Sequence, residues 1–114
     1  MVIELRQNED LEQLLERSET DPVLIFKHST QCSISEAAYE EFQRFTDTAK
    51  NTPCGVIMVI EDRAVSNNAA SRLGVRHQSP QAILVEHGRS VWTASHWSIT
   101  TAALEQALKQ CQTA

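Results

Sequence analysis

Two apolar runs of strand length, Val23-Leu24-Ile25-Phe26 and Gly55-Val56-Ile57-Met58-Val59-Ile60, enclose a stretch with helical periodicity. A short run that is apolar at every position suits a strand covered on both faces, because an alternating strand would leave one face polar. Between the runs, Ile34, Ala38, Phe42, Phe45 and Ala49 recur every three or four residues, while Glu40, Glu41, Arg44 and Asp47 mark the opposite face. Ser33 and Glu36 fit a capping box at the start of that helix, and Asn51-Thr52-Pro53 ends it. Two strands joined through a helix are parallel and cross over right-handed. A sheet built on such a pair needs helices on both faces, so the fold class is α/β.

The remaining segments extend this sheet. Asn8 is the expected cap of a first helix whose stripe is Leu11, Leu14 and Leu15, and Asp21-Pro22 ends that region. Residues 2–5 have weak strand character. A short helix over 65–73 ends with Gly74 at its C′ position. Ser79-Pro80 precedes a third main strand at 82–85. His87-Gly88-Arg89 is the turn of a hairpin to an edge strand at 90–94. The last helix starts near Ser98 or Thr100 and carries Leu104, Leu108 and Cys111 on one face. The hairpin makes the central sheet mixed. The 114 residues are one domain's length, so a single domain over 1–114 is expected.

Charge and composition exclude several functions. The formal charge of −5 opposes a nucleic-acid binder. No run of about 18 apolar residues is present, so no membrane span is expected. The opening MVIELRQNEDLEQ lacks the apolar core of a secretory signal. Three cysteines make no disulfide framework, and reduced thiols suit a cytoplasmic protein. No CxxC or HxxxH spacing offers a metal site.

The chemistry concentrates at Cys32, which follows a buried strand and immediately precedes a helix. A helix N-terminus presents unpaired N–H groups and about half a positive charge, which favour a thiolate. Lys27 and His28, just upstream, are candidates for adding positive potential. Cys54 begins the parallel neighbouring strand, so roughly 20 Å of strand separates it from Cys32, beyond disulfide reach. Cys111 lies on the apolar stripe of the last helix. Both are expected to be core thiols. His28, His77 and His96 could gather at one end of the sheet, but no Asp or Asn is placed to orient them, so a Cys–His hydrolase has little support.

Strand, cysteine loop, helix, strand, helix, X-Pro, hairpin and helix is the thioredoxin-like order. Within that superfamily the chain resembles the monothiol bacilliredoxins of the BrxC/YtxJ type, whose signature is Thr-Cys-Pro-Ile-Ser. The likeness rests on Lys27-His28-Ser29-Thr30, Cys32-x-Ile34-Ser35, Ser79-Pro80-Gln81-Ala82, Val91-Trp92 and Ser95-His96-Trp97 with Ile99-Thr100. It spans about residues 10–110. Gln31 precedes the cysteine, and Ser33 replaces the family proline.

The resemblance implies that Cys32 is the nucleophile and that Pro80 is a cis proline facing it, with Ser79 offering backbone groups to an extended substrate. It places Thr30, Ser33, Ile34, Ser35, Ser79, Pro80, His96 and Trp97 at the substrate, with an alternative core role for Trp97. Ser35 holds the fourth motif position and forms no disulfide, so a diffusible thiol must complete the reaction. The family supplies bacillithiol as that co-substrate, with no bound cofactor. Bacillithiolated proteins and a bacillithiol disulfide reductase are then the partners of an expected monomer. Two competing readings remain open. One is a non-catalytic thioredoxin-like adaptor that binds partners through its cis-proline loop. The other is iron–sulfur carriage like that of monothiol glutaredoxins, whose Cys-Gly-Phe-Ser motif and glycine pair are absent here.

Overall fold

A computed structural model describes residues 2–112, the side chain of Gln112 excepted; residues 1, 113 and 114 of the expected domain lie outside the described residues. The elements run β1 (Val2–Glu4), α1 (Asn8–Arg17), β2 (Val23–His28), α2 (Ser33–Thr48), β3 (Cys54–Met58), α3 (Arg63–Leu73), β4 (Gln81–Glu86), β5 (Arg89–Ser95), a 3-10 turn (His96–Ser98) and α4 (Thr101–Gln112). They form one five-stranded sheet in the order β1-β3-β2-β4-β5. β1 and β2 flank β3 in parallel, and β4 runs antiparallel to β2 and β5. This is the mixed sheet expected from the sequence.

Every residue of β2 is buried, which accounts for its unbroken apolar run. Alternation along the strand divides the core in two. Leu24 and Phe26 pack with Ala38, Phe42 and Phe45 of α2 and with Leu104 and Leu108 of α4. Val23 and Ile25 pack on the other face, with Leu11, Leu14 and Leu15 of α1 and Val65 and Ala69 of α3. Register fixes which end of the sheet is which. Leu24 lies beside Cys54 at one end, while His28 lies beside Met58, and Lys27 beside Gln81, at the other.

The helix caps differ from the expectation by one residue. Gln7, not Asn8, is the N-cap of α1, and the Asp10 carboxylate accepts from the N–H groups of Arg6 and Gln7. Asn8 instead accepts from Asn68 and ties α1 to α3. Cys32, not Ser33, is the N-cap of α2: its extended backbone (φ −131°, ψ 121°) places Ser33 already inside the helix. The Ser33–Glu36 capping box therefore does not form. Ser35, not Ile34, takes the buried position in the first turn of α2, and Ile34 is half-buried. Glu41 is drawn inward because its carboxylate accepts from the Thr101 N–H (2.7 Å) and hydroxyl (2.9 Å), clamping the start of α4 to α2.

Candidate active site

The cysteine loop leaves β2 at His28 and enters α2 at Cys32. Thr30, Gln31 and Ser33 are exposed, whereas Cys32 is half-buried. An N-cap side chain stands at the positive end of its helix, where the first N–H groups have no partner within the helix. Cys32 occupies that position, and its carbonyl accepts the first helical bond, from the Glu36 N–H at 3.1 Å. The thiol makes no capping bond. A sulfur anion formed there meets the unpaired N–H groups and the helix dipole.

Beneath it, Ser35 is fully buried and held from two sides. Its Oγ accepts from the Ser29 N–H at 2.9 Å and lies 2.8 Å from His28 Nδ1. Burial holds the His28 pKa below its ordinary value, against an upward pull from Glu36 and Glu61, so the ring is neutral at neutral pH. The other ring nitrogen, Nε2, lies 3.6 Å from the Glu36 carboxylate. Tyr39 stacks on the imidazole at 4.5 Å between ring centroids. The fourth motif position is thus a serine hydrogen-bonded to His28 and to the Ser29 N–H, with no thiol to close a disulfide.

The Ser79-Pro80 peptide bond is cis. Gln81, the next residue, pairs with Lys27 near the end of β2, so the proline loop and the cysteine loop share one end of the sheet. The His96 N–H donates to the Pro80 carbonyl at 3.1 Å, which attaches the 3-10 turn to the same loop. His96 takes a left-handed conformation (φ 53°) there. Trp97 is 70% exposed, so the alternative core role is excluded. It borders a groove against α2 that includes Ala37, Glu40 and His96. Among the described residues, Ser79 Oγ is the one buried side-chain polar atom with no hydrogen-bond partner.

Lys27 does not join this group. Alternation sends its side chain to the α3 face, where the fully buried ammonium donates to the Ser66 carbonyl at 3.0 Å and to His77 Nδ1 at 3.1 Å. The expectation that Lys27 adds potential at Cys32 is corrected accordingly, and among the described residues the histidines do not gather: His28 and His77 lie on opposite faces of the sheet. Burial also pushes the Cys54 thiol up to about 12, and its sulfur contacts the Thr52 carbonyl. Cys111 packs beside Trp92 and Glu86, at the sheet end far from Cys32, with its thiol raised by burial and by the Glu86 charge. Among the described residues no cluster of His, Cys, Asp and Glu is suited to a metal, and no helix is long and apolar enough to cross a membrane. Sequence reasoning missed Tyr39 and gave Gln81, quoted within the Ser79-Pro80-Gln81-Ala82 motif, no role of its own. The signal for Tyr39 was its place seven residues after Cys32, two turns along the same helix.

Solved structures with this architecture include a thioredoxin-fold protein whose description proposes an oxidoreductase. It is 32% identical, with 93% of this chain and 92% of that one covered at a TM-score of 0.84. Thioredoxins of Schistosoma mansoni (20% identity, 96% of each chain covered, TM-score 0.77) and Fasciola hepatica (12%, 95% and 97% covered, 0.77) share the fold. The family profile of monothiol bacilliredoxin BrxC matches residues 3–104. With a lone half-buried cysteine capping α2, a serine in the fourth motif position and a cis proline at the same end of the sheet, the chain belongs to the monothiol bacilliredoxin BrxC family.

Proposed function

We propose that the protein removes bacillithiol from protein mixed disulfides by thiol–disulfide exchange at Cys32. Family membership and the thioredoxin fold support a thiol redox function. The observation that carries the finer reading is Ser35, buried and hydrogen-bonded where a second cysteine would stand. The Cys32 thiolate attacks the bacillithiol sulfur of the mixed disulfide. A new S–S bond forms as the old one breaks, and the target leaves as a thiolate that takes a proton from water. A second bacillithiol, as thiolate, attacks the bacillithiol sulfur now on Cys32. Cys32 leaves as a thiolate, and bacillithiol disulfide departs for a reductase. Rates depend on the thiolate fraction, its nucleophilicity and the leaving-group pKa.

In this reading Ser79 offers backbone groups to the substrate, Thr30, Ser33 and Ile34 border it, and His96 and Trp97 flank the adduct. The protein works as a cytoplasmic monomer, with no bound cofactor. The test is turnover of a bacillithiolated protein. Cys32→Ser is expected to abolish it, while Cys54→Ser and Cys111→Ser keep most of it. Loss of turnover in folded Cys54→Ser overturns the monothiol scheme. The 70% exposure of Trp97 also suits an adaptor that docks partners without turnover. For an adaptor, alkylating Cys32 leaves partner binding intact and there is no turnover to lose.

A further inference from the structure

Two buried polar side chains stand next to each other across β2 and β4, and the exchange chemistry uses neither. Lys27 and Gln81 are register partners, 0% and 3% exposed. Gln81 Nε2 donates to the Arg76 carbonyl at 3.0 Å, and its Oε1 accepts from the Gln78 N–H at 3.4 Å. Lys27 Nζ donates to His77 Nδ1 at 3.1 Å and, through the Ser66 carbonyl at 3.0 Å, to α3. Three successive residues of the 74–80 loop, Arg76, His77 and Gln78, are thereby held from below by the sheet. The next two residues are Ser79 and cis Pro80. His77 acts as an acceptor here, consistent with burial and the nearby Lys27 and Arg63 charges lowering its pKa. A buried ammonium bonded to a carbonyl and an imidazole is an expensive arrangement for a core that Met or Leu would fill. What this arrangement achieves is a fixed loop.

We propose that Lys27 and Gln81 are positioning residues that hold the 76–78 backbone, through His77 in the case of Lys27, and so set Ser79 and Pro80 where a substrate backbone pairs with them. This rests on the reading of Ser79-Pro80 as the substrate-binding loop.

Two measurements on the full chain test it. The first is amide hydrogen exchange, which needs no activity. Lys27→Met and His77→Leu are each expected to speed exchange at Gln78, whose N–H donates to Gln81, by about tenfold while β2 and α2 are unchanged. His77→Asn, which keeps an acceptor near Nδ1, is expected to behave as wild type. Unchanged exchange at Gln78 in both Lys27→Met and His77→Leu overturns the proposal. Should Lys27→Met fail to fold, His77→Leu, altered on an exposed side chain, decides alone.

The second is kinetic, with a bacillithiolated peptide. Both loosened variants are expected to raise KM by about fivefold, with iodoacetamide alkylation of Cys32 within about twofold of wild type, because alkylation does not use the loop. A KM that does not move, or alkylation that falls in parallel with exchange, overturns the positioning role. If wild type itself does not turn over the peptide, the proposed function fails, and the hydrogen-exchange result still decides whether Lys27, through His77, holds the loop.

Discussion

Lys27 carries a charge in a place with no carboxylate to answer it. Its partners are a carbonyl and an imidazole, and burial pulls its pKa from 10.5 down to about 8. That displacement corresponds to about 3 kcal/mol against the buried charged form. Below pH 8 both folded and unfolded lysines are charged, and the folded state bears the whole cost. Between pH 8 and 10.5 the unfolded chain binds more protons than the folded one, so this residue's contribution to stability rises with pH. Lys27→Met is therefore expected to be more stable than wild type at pH 7, by about 1–3 kcal/mol, with the gain shrinking toward pH 10.5. Urea unfolding of both proteins across that range gives the difference directly and cancels the opposing effect of Cys54, whose raised pKa lowers stability between pH 9 and 12. A destabilised Lys27→Met at pH 7 counts against this view of the charge. His28 acts at the acid side. Its pKa is lowered, so the unfolded state gains a proton first as pH falls through 6.5, and stability declines there. His28→Asn, which keeps a polar group near Nδ1 for Ser35, is expected to flatten that decline between pH 7 and 5.

β3 shows how one residue sets the approach of several elements. A Cβ on Gly55 would lie 2.6 Å from Leu5 Cδ1 and 2.8 Å from Leu14 Cδ2, both fully buried side chains. Gly55→Ala is thus an overpacking change, expected to cost about 1–3 kcal/mol by urea unfolding without affecting Cys32 alkylation. A stability within error of wild type contradicts that packing. At the hairpin, His87 and Gly88 both adopt positive φ (53° and 72°), the geometry of a type I′ turn, and only Gly88 does so at no steric cost. His87→Asn is expected to gain about 0.5 kcal/mol. The elements themselves were legible in the sequence because each apolar run or stripe had one period and clear punctuation. What was not legible has a common cause. In Val23-Leu24-Ile25-Phe26 both faces are apolar, so the run gives no sign that Lys27 turns toward Ser66 and His77 and away from the cysteine loop its sequence position suggests. Side-chain preference alone puts the cap of α2 at Ser33, whereas the extended backbone of Cys32 decides it. Ser79-Pro80 as a cis pair followed from family likeness; local sequence makes trans the default.

At the scale of the whole molecule, the sheet separates the thiols by direction. Cys32 follows the His28 end of β2. Cys54 sits beside Leu24, four residues back along the same strand, or about 13 Å. Cys111 lies with Glu86 and Trp92, at the opposite end of β4 from Gln81. A disulfide needs Cα atoms within about 7 Å, so neither thiol reaches Cys32 while the sheet is intact. Ser35 offers no sulfur. Oxidation of the folded chain is therefore forced outward, onto another molecule. With bacillithiol disulfide present, the main product is expected to be a single adduct on the Cys32 peptide, removable by dithiothreitol and absent in Cys32→Ser. With hydrogen peroxide and no small thiol, it is expected to be a dimer bridged from Cys32 to Cys32, because half-buried Cys32 is the one thiol left at that end of the sheet. Non-reducing digestion and mass spectrometry distinguish these products. An intramolecular Cys32–Cys54 or Cys32–Cys111 bridge as the main species contradicts the geometry as well as the mechanism, because it requires the strands between them to come apart.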